Sequence, residues 1–488
     1  MGRGGLEYVL RKRGTLHSKK ENIPEVFSIM QINERLFDFI QASPTPFQAV
    51  DTISRMLKEK GFRAINEADE WDLERGGSYY VTRNGSSIIA FTLPHDDDYS
   101  FNIVASHCDS PTFKLKENPI FAHSGYAVLN TEGYGGMIMS TWMDRPLSIA
   151  GRVIVRNGED YSWKLVNVDR DLLIIPSLAI HMDREVNKGK AYDPHVDTLP
   201  ILALEGEEFD LLQIIADAAD VRKDYIIGHD LFLYNRQRGV EFGAFKEFIA
   251  SPKLDDLQCV FASLDGFMNA DNAAACPVLA VFDNEEVGSS TQQGAASTFL
   301  HDTLRRIVSC LGGDESDYVR RIANSFMISA DNAHALHPNK AEAYADQTNR
   351  PKLNGGIVIK YNANAKYTSD GLSRAVFKGL VVDLSLNFQT FANRSDLPGG
   401  STLGNISNTK VSLATVDVGL PQLAMHSSYE TAGAQDTEDF AKICRQFYST
   451  KFMRNDEGGF RLDKAARAHR PGNGGARNIS KRSSRFTK

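Results

Sequence analysis

The stretch "CPVLAVFDNEEVGSS", Cys276 to Ser290, decides the fold of this chain. Its first seven residues are apolar or small on both alternating faces. That is the pattern of a strand covered on two sides, as in the parallel sheet of an α/β protein. The run is too short for a buried helix. It then stops in Asp283, Glu285 and Glu286. Such a strand carries negative charge to its carboxyl end, the edge at which open α/β sheets bind ligands.

Other apolar runs end the same way. "FNIVASHCDS" ends in His107 and Asp109, "SFMISADNA" in Asp331, and "LPQLAMHSS" in His426. "SPKLDD" adds Asp255 and Asp256. Imidazoles with carboxylates and no cysteine suit zinc, manganese or cobalt rather than an iron–sulfur cluster. So many acids in one cleft repel each other unless a cation joins them. A shared carboxylate can bridge two metals about 3.5–4 Å apart, the spacing of hydrolytic two-metal sites. Adjacent side chains at a strand end point in different directions. One glutamate of the Glu285–Glu286 pair can therefore ligate while the other handles the proton of an activated water.

The rest of the chain fits an α/β body with an insert. "RLFDFI", "AVDTISRMLKEKGF", "LQCVFASLDGFMN" and "AASTFLHDTLRRIVSCLG" have helical apolar spacing. "SIIAFTL", "GGIVIKYN" and "LATVDVGLP" read as further strands. Between about Pro111 and Phe248 the texture changes to short β-hairpin segments, with one helix near "EFDLLQIIADAADVRKDY" and a glycine-rich "TEGYGGM". The expected organisation is a basic disordered extension at 1–30, a catalytic domain at 31–110 plus 249–453, an inserted mainly-β domain at 111–248, and a disordered basic tail at 454–488.

Composition excludes several classes. The net charge of −7 argues against a nucleic-acid binder. No apolar stretch approaches the roughly 20 residues of a membrane span. "DLLIIPSLAI" comes nearest, and Pro176 assigns it to a buried strand instead. The five cysteines, Cys108, Cys259, Cys276, Cys310 and Cys444, form no CxxC and suit reduced thiols in the cytoplasm. The first twenty residues lack the apolar segment of a secretion signal.

Seven motifs in order, "ASHCDSP", "TEGYGGMIMSTWMDRPLSIAGRV", "IPSLAIHMDREVN", "SPKLDD", "FDNEEVGSS", "SADNAHALHPN" and "PQLAMHSSYE", resemble the M18 metallo-aminopeptidases, the aspartyl aminopeptidase family. The resemblance runs from about Phe37 to Met453. It implies a zinc-exopeptidase-like fold, a mixed and largely parallel sheet flanked by helices, with the insert serving as a dimerisation domain. It implies two divalent ions, zinc with manganese or cobalt as alternatives. His107 and Asp331 would hold one ion, Glu286 and His426 the other, and Asp255 would bridge them. Glu285 would be the general base and acid, and Asp109 would orient His107. His181 would reach the site of a neighbouring subunit, and Lys360 would face an acidic first residue of the peptide substrate. Assembly as homo-oligomers, dimers building a dodecamer, comes from the same resemblance.

Cys108, Asp256 and Asn332 stand where the family often has Thr, Asn and Met; none of these removes a ligand, and Asp256 offers a second carboxylate beside Asp255. His334 and His337 compete as ligands, but Pro338 places them in a turn or substrate pocket. "DLPGGSTLGNIS" resembles a family loop lining the site and lacks the ending of a phosphate loop. The expected activity is removal of an N-terminal residue, Asp or Glu preferred. An N-acyl amino-acid deacylase using the same site, and a non-catalytic cargo or binding scaffold, are the competing readings.

Overall fold

The computed structural model describes residues 23–271, 275–342, 346–397 and 399–464. Its body is built on a nine-stranded sheet. Five strands position the site: β1 (Phe101–His107), β2 (Cys276–Phe282), β3 (Phe326–Ala330), β4 (Ile357–Lys360) and β5 (Ala414–Gly419). The spatial order is Arg63–Ile65, Ser78–Arg83, Ser87–Thr92, β2, β1, β3, β5, β4, Phe388–Phe391. The central strands β2, β1, β3 and β5 run parallel, and the flanks contain antiparallel pairs, so the sheet is mixed and largely parallel.

The quoted stretch forms β2 as expected. All seven of its residues are buried. Val278, Ala280 and Phe282 pack with Phe299, Leu304 and Ile307 of helix Phe299–Cys310 on one face. Leu279 and Val281 pack on the other face, in the core of helices α1 (Leu254–Met268) and α2 (Asp436–Tyr448). An α/β architecture follows because both faces of each central strand are apolar and each must be covered.

Between Thr112 and Asn235 the chain builds a second, six-stranded antiparallel sheet with its own core around Phe113, Leu129, Trp142, Ile149 and Leu231. Its single α-helix, Leu211–Ala218, lies where the apolar spacing places it. A third, five-stranded sheet joins Val240–Phe242, Phe248–Ser251, Glu430–Gly433, Pro421–Leu423 and Ala333–His334. It ties the end of the inserted segment to the loop that carries His426.

Three local expectations fail. "DLLIIPSLAI" is not a buried strand: it makes only isolated bridges at Leu173 and Ile174, and although Leu173 and Ile175 are buried, Leu178 and Ile180 are 58% and 47% exposed. Disorder does not begin at residue 454. Phe460–Lys464 returns antiparallel to Thr450–Arg454, and Phe460 packs edge-on against Phe326 and Phe452. Nor does it extend to residue 30, since a helix runs from Ile23 to Gln41. The remainder of both basic extensions, 1–22 and 465–488, lies outside the described residues.

Candidate metal centre

Parallel register aligns the strand ends. Phe282 of β2 pairs with His107 of β1, and Ser329 of β3 pairs with Ala105 of β1. His107, the Glu285–Glu286 turn and Asp331 therefore leave the same edge of the sheet. Asp255 comes from the first turn of α1, where Asp255 and Asp256 have non-helical dihedrals. His426 comes from the loop after Pro421–Leu423 and has φ +67. Asn284 and Lys253, which launch the Glu285 turn and α1, have φ +63 and +53. Such left-handed residues persist only where surrounding contacts over-determine them, as at functional sites.

The five expected ligands meet. His107 Nε2 lies 3.4 Å from Asp255 Oδ1 and 3.9 Å from Asp331 Oδ1. His426 Nε2 lies 3.6 Å from Asp255 Oδ2 and 3.5 Å from Glu286 Oε2. Tetrahedral ligands about 2.0–2.2 Å from zinc stand roughly 3.3 Å from one another, so these separations fit donors around an ion. Buried oxygens on the same groups, Asp255 Oδ1 and Glu286 Oε1, have no hydrogen-bond partner among the described residues. An unpaired buried carboxylate oxygen is costly, and a cation removes that cost. Glu285 joins His107 and Glu286 in a group whose ligand atoms lie within 4.8 Å of one another.

The electrostatics agree. Burial pushes the carboxyl of Glu285 up to about 7, aided by Asp331, Asp109 and Asp255 against the pull of His107. Burial likewise raises Glu286. Burial opposes the ionisation of Asp255 too, but the two imidazoles hold it well below the usual carboxylate range. Burial disfavours charge on His426, yet Asp255 and Glu286 raise it to about 10. In the absence of a cation Glu286 and His426 hold protons that a metal would replace.

Around this cluster lies a second set of contacts. The Asp109 carboxylate accepts the backbone N–H of Glu285 and of Glu286, each at 3.1 Å, and sits 3.4 Å from His107 Nδ1. His107 Nδ1 also lies 3.1 Å from the Asp109 carbonyl, which leaves Nε2 facing Asp255 and Asp331. Asp109 thus contacts His107 and the N–H groups of both glutamates, a placement from which a carboxylate can orient an imidazole. Asp256 accepts the His107 N–H at 3.2 Å, and Asn332 donates to Leu254 O, Gln258 and Gln422. These two departures from the family pattern build a buried polar layer beneath the ligands.

Lys360 is buried and already has three acceptors: Asp331 O at 2.7 Å, Asn332 O at 3.2 Å and Asp331 Oδ2 at 3.3 Å. An ammonium has three donors, so those of Lys360 are all engaged, two of them on Asp331. His181 is exposed, in the Pro176–Pro200 segment of the insert. The sequence did not point to Glu430, which accepts the N–H of Asp255 at 3.0 Å and of His426 at 2.7 Å. Its position four residues after His426 was the available signal. Nor did it point to Gly136, whose carbonyl lies 2.7 Å from His426 Nδ1.

The family model for aminopeptidase I zinc metalloproteases (M18) matches residues 39–448. The chain belongs to the M18 family. It is a metallo-aminopeptidase, a hydrolase, and the cluster just described is its candidate metal-binding centre. A "Probable M18 family aminopeptidase 2" of Clostridium novyi is 47% identical over 424 residues, covering 85% of this chain and 98% of the relative. Among solved structures, a chain of the "Ape4 and Nbr1 complex" superposes with a TM-score of 0.83 at 35% identity, over 89% of this chain and 87% of that one. The "S. cerevisiae mApe1 dodecamer" gives 0.73 at 26% identity, over 85% and 97%. Among the described residues, no helix of this M18 chain is long and apolar enough to cross a membrane.

Proposed function

We propose that this M18 aminopeptidase is a two-ion enzyme that removes N-terminal Asp or Glu from peptides, with Glu285 as general base and acid. One observation carries the reading: the two oxygens of Asp255 face different histidines, Oδ1 toward His107 and Oδ2 toward His426. A carboxylate so placed suits two cations, one held with His107 and Asp331, the other with Glu286 and His426. Zinc fits the donor set best, with manganese and cobalt as alternatives. Bound there, the ions would supply electrophilic stabilisation and acidify the attacking water.

The chain's own groups do the rest. Glu285 is buried beside the cluster, and its carboxyl, pushed up to about 7, is matched to taking a proton and returning it near neutral pH. It accepts the proton of the attacking water and delivers it to the departing amine. Lys360 fixes Asp331 and supplies the positive charge near an acidic first residue. Direct contact with that residue requires Lys360 to exchange one of its present acceptors. His181 lies in an exposed loop with Leu178, Ile180 and Met182, which supports a role in a neighbouring copy's site. The insert at 111–248 would be the dimerisation unit of a homo-oligomer, a dodecamer by likeness to the mApe1 assembly, working in the cytoplasm.

Glu285→Gln tests the base. Metal content should stay at the wild-type level while turnover falls by about 10²–10⁴-fold. Wild-type turnover would remove Glu285 from the mechanism. A panel of aminoacyl substrates read alongside it should rank Asp and Glu first and leave N-acylated amino acids uncleaved.

A further inference from the structure

The inserted sheet sends one strand, Tyr126–Tyr134, directly to the metal centre. The Tyr134 hydroxyl donates to Asp109 Oδ2 at 2.8 Å and accepts from Asn284 Nδ2 at 2.9 Å. Its ring meets Phe232 of the same sheet edge-on, with centroids 5.5 Å apart. The residue is thus clamped in the insert at one end and in the body at the other.

Asp109 is the point through which this matters. Its carboxylate holds the N–H groups of Glu285 and Glu286 and stands against His107 Nδ1. One side chain therefore sets a ligand imidazole, a ligand carboxylate and the base. Two carboxylate oxygens must serve all these donors, and the Tyr134 hydroxyl joins Glu286 N–H on Oδ2. Without that bond only the two turn N–H groups and His107 hold the carboxylate, and its terminal torsion, which has broad wells, is less tightly fixed. Each of the three groups would then lose alignment together. The next residues extend the grip: Gly136 O lies against His426 Nδ1, and Ile138 N–H donates to His426 O at 2.9 Å.

We infer that Tyr134 of the inserted sheet is a positioning residue of the metal centre, locking Asp109 so that His107, Glu285 and Glu286 present one fixed geometry. This rests on the two-ion reading above. The segment of the insert around it is therefore part of the active site of its own chain, apart from any role between copies.

Tyr134→Phe removes the hydroxyl and keeps the ring against Phe232. The test uses full-length protein stripped of metal and titrated with zinc, then loaded with cobalt for its visible absorption spectrum. Removing a direct partner of a metal ligand typically weakens binding about 10–100-fold; Tyr134 acts one contact further out, through Asp109, so a loss of roughly tenfold is expected here, with an altered cobalt spectrum. At saturating zinc, kcat should fall about tenfold while KM stays within about twofold. Wild-type affinity and spectrum in Tyr134→Phe overturn the inference. If wild-type protein itself binds no divalent ion, the two-ion reading has failed instead. If Tyr134→Phe lacks the wild-type circular dichroism of metal-free protein, the same titration is run on protein carrying 4-fluorophenylalanine at position 134, which fills the hydroxyl's place without donating to Asp109. It should weaken zinc by a similar factor, and wild-type affinity there overturns the inference equally.

Discussion

The body of the molecule supplies all five candidate ligands and the base, with His107, Glu285, Glu286 and Asp331 after strands of the nine-stranded sheet, Asp255 on α1 and His426 beside the five-stranded sheet, whereas the six-stranded insert supplies none of them. Yet the insert places Tyr134 on Asp109 and a carbonyl on His426. The body is built from strands buried on both faces, whose carboxyl ends converge by topology. The insert is antiparallel, and its contribution depends on one strand end reaching across. Ligands can thus be inherited from the sheet architecture, while their orientation is set by a region with a separate core.

Asp255→Asn strikes the body and should have the largest effect. An amide offers one acceptor oxygen in place of two and carries no charge, so it could not serve the proposed bridge. We expect both ions to fall to substoichiometric levels by elemental analysis, with kcat/KM reduced on the order of 10³-fold or more. Loss of only one ion would show that Asp256, in the same cluster, shares the bridging role.

Gly135→Ala strikes the junction. Its φ is +72, and an added Cβ would stand 3.0 Å from Glu286 Cβ and 3.4 Å from Pro111 Cα. Left-handed strain of about 1–2 kcal/mol combines with displacement of Glu286, a candidate ligand. Activity should fall roughly 10–100-fold, by analogy with other disturbed ligand environments. Gly125→Ala sharpens the comparison. That glycine has φ +86 but nothing within 4 Å, at a hairpin inside the insert. It should lower Tm by a similar strain and leave activity unchanged. Equal loss of activity in both variants would break the distinction between junction and insert.

The smallest effect separates the centre from the rest by pH. In metal-free protein, burial raises Glu285 to about 7 and Glu430 to about 8, above their usual carboxylate range. Despite burial, the neighbouring carboxylates hold His426 near 10. The folded state then binds more protons than the unfolded state between about pH 5 and 9, so its stability falls as pH rises across that window. Metal replaces those protons. The Tm difference between metal-loaded and chelated protein should widen from pH 6 to pH 8. A constant difference would contradict the proton count.

The sequence made the ligands legible because a hard donor at the end of an apolar strand has few structural reasons to be there. His107, Glu286 and Asp331 follow that rule directly. Tyr134, Gly136 and Glu430 do not, since a tyrosine, a backbone carbonyl or a lone glutamate acquires its role only from tertiary contacts. "TEGYGGM" stood out for its glycines, but composition could not tell that Gly135 makes room for Glu286. The return strand Phe460–Lys464 was missed because Gly458 and Gly459 masked the alternation of Phe460 and Leu462. "DLLIIPSLAI" misled in the opposite way. Its first half does enter the core at Leu173 and Ile175, but Leu178 and Ile180 are exposed among the described residues.

Metal stoichiometry of the wild-type protein is the most direct measurement. After zinc loading and dialysis, the account predicts two ions per chain by mass spectrometry of metals, with Asp255→Asn losing both. One ion per chain, or none, would contradict a centre in which Asp255 joins the His107 and His426 halves.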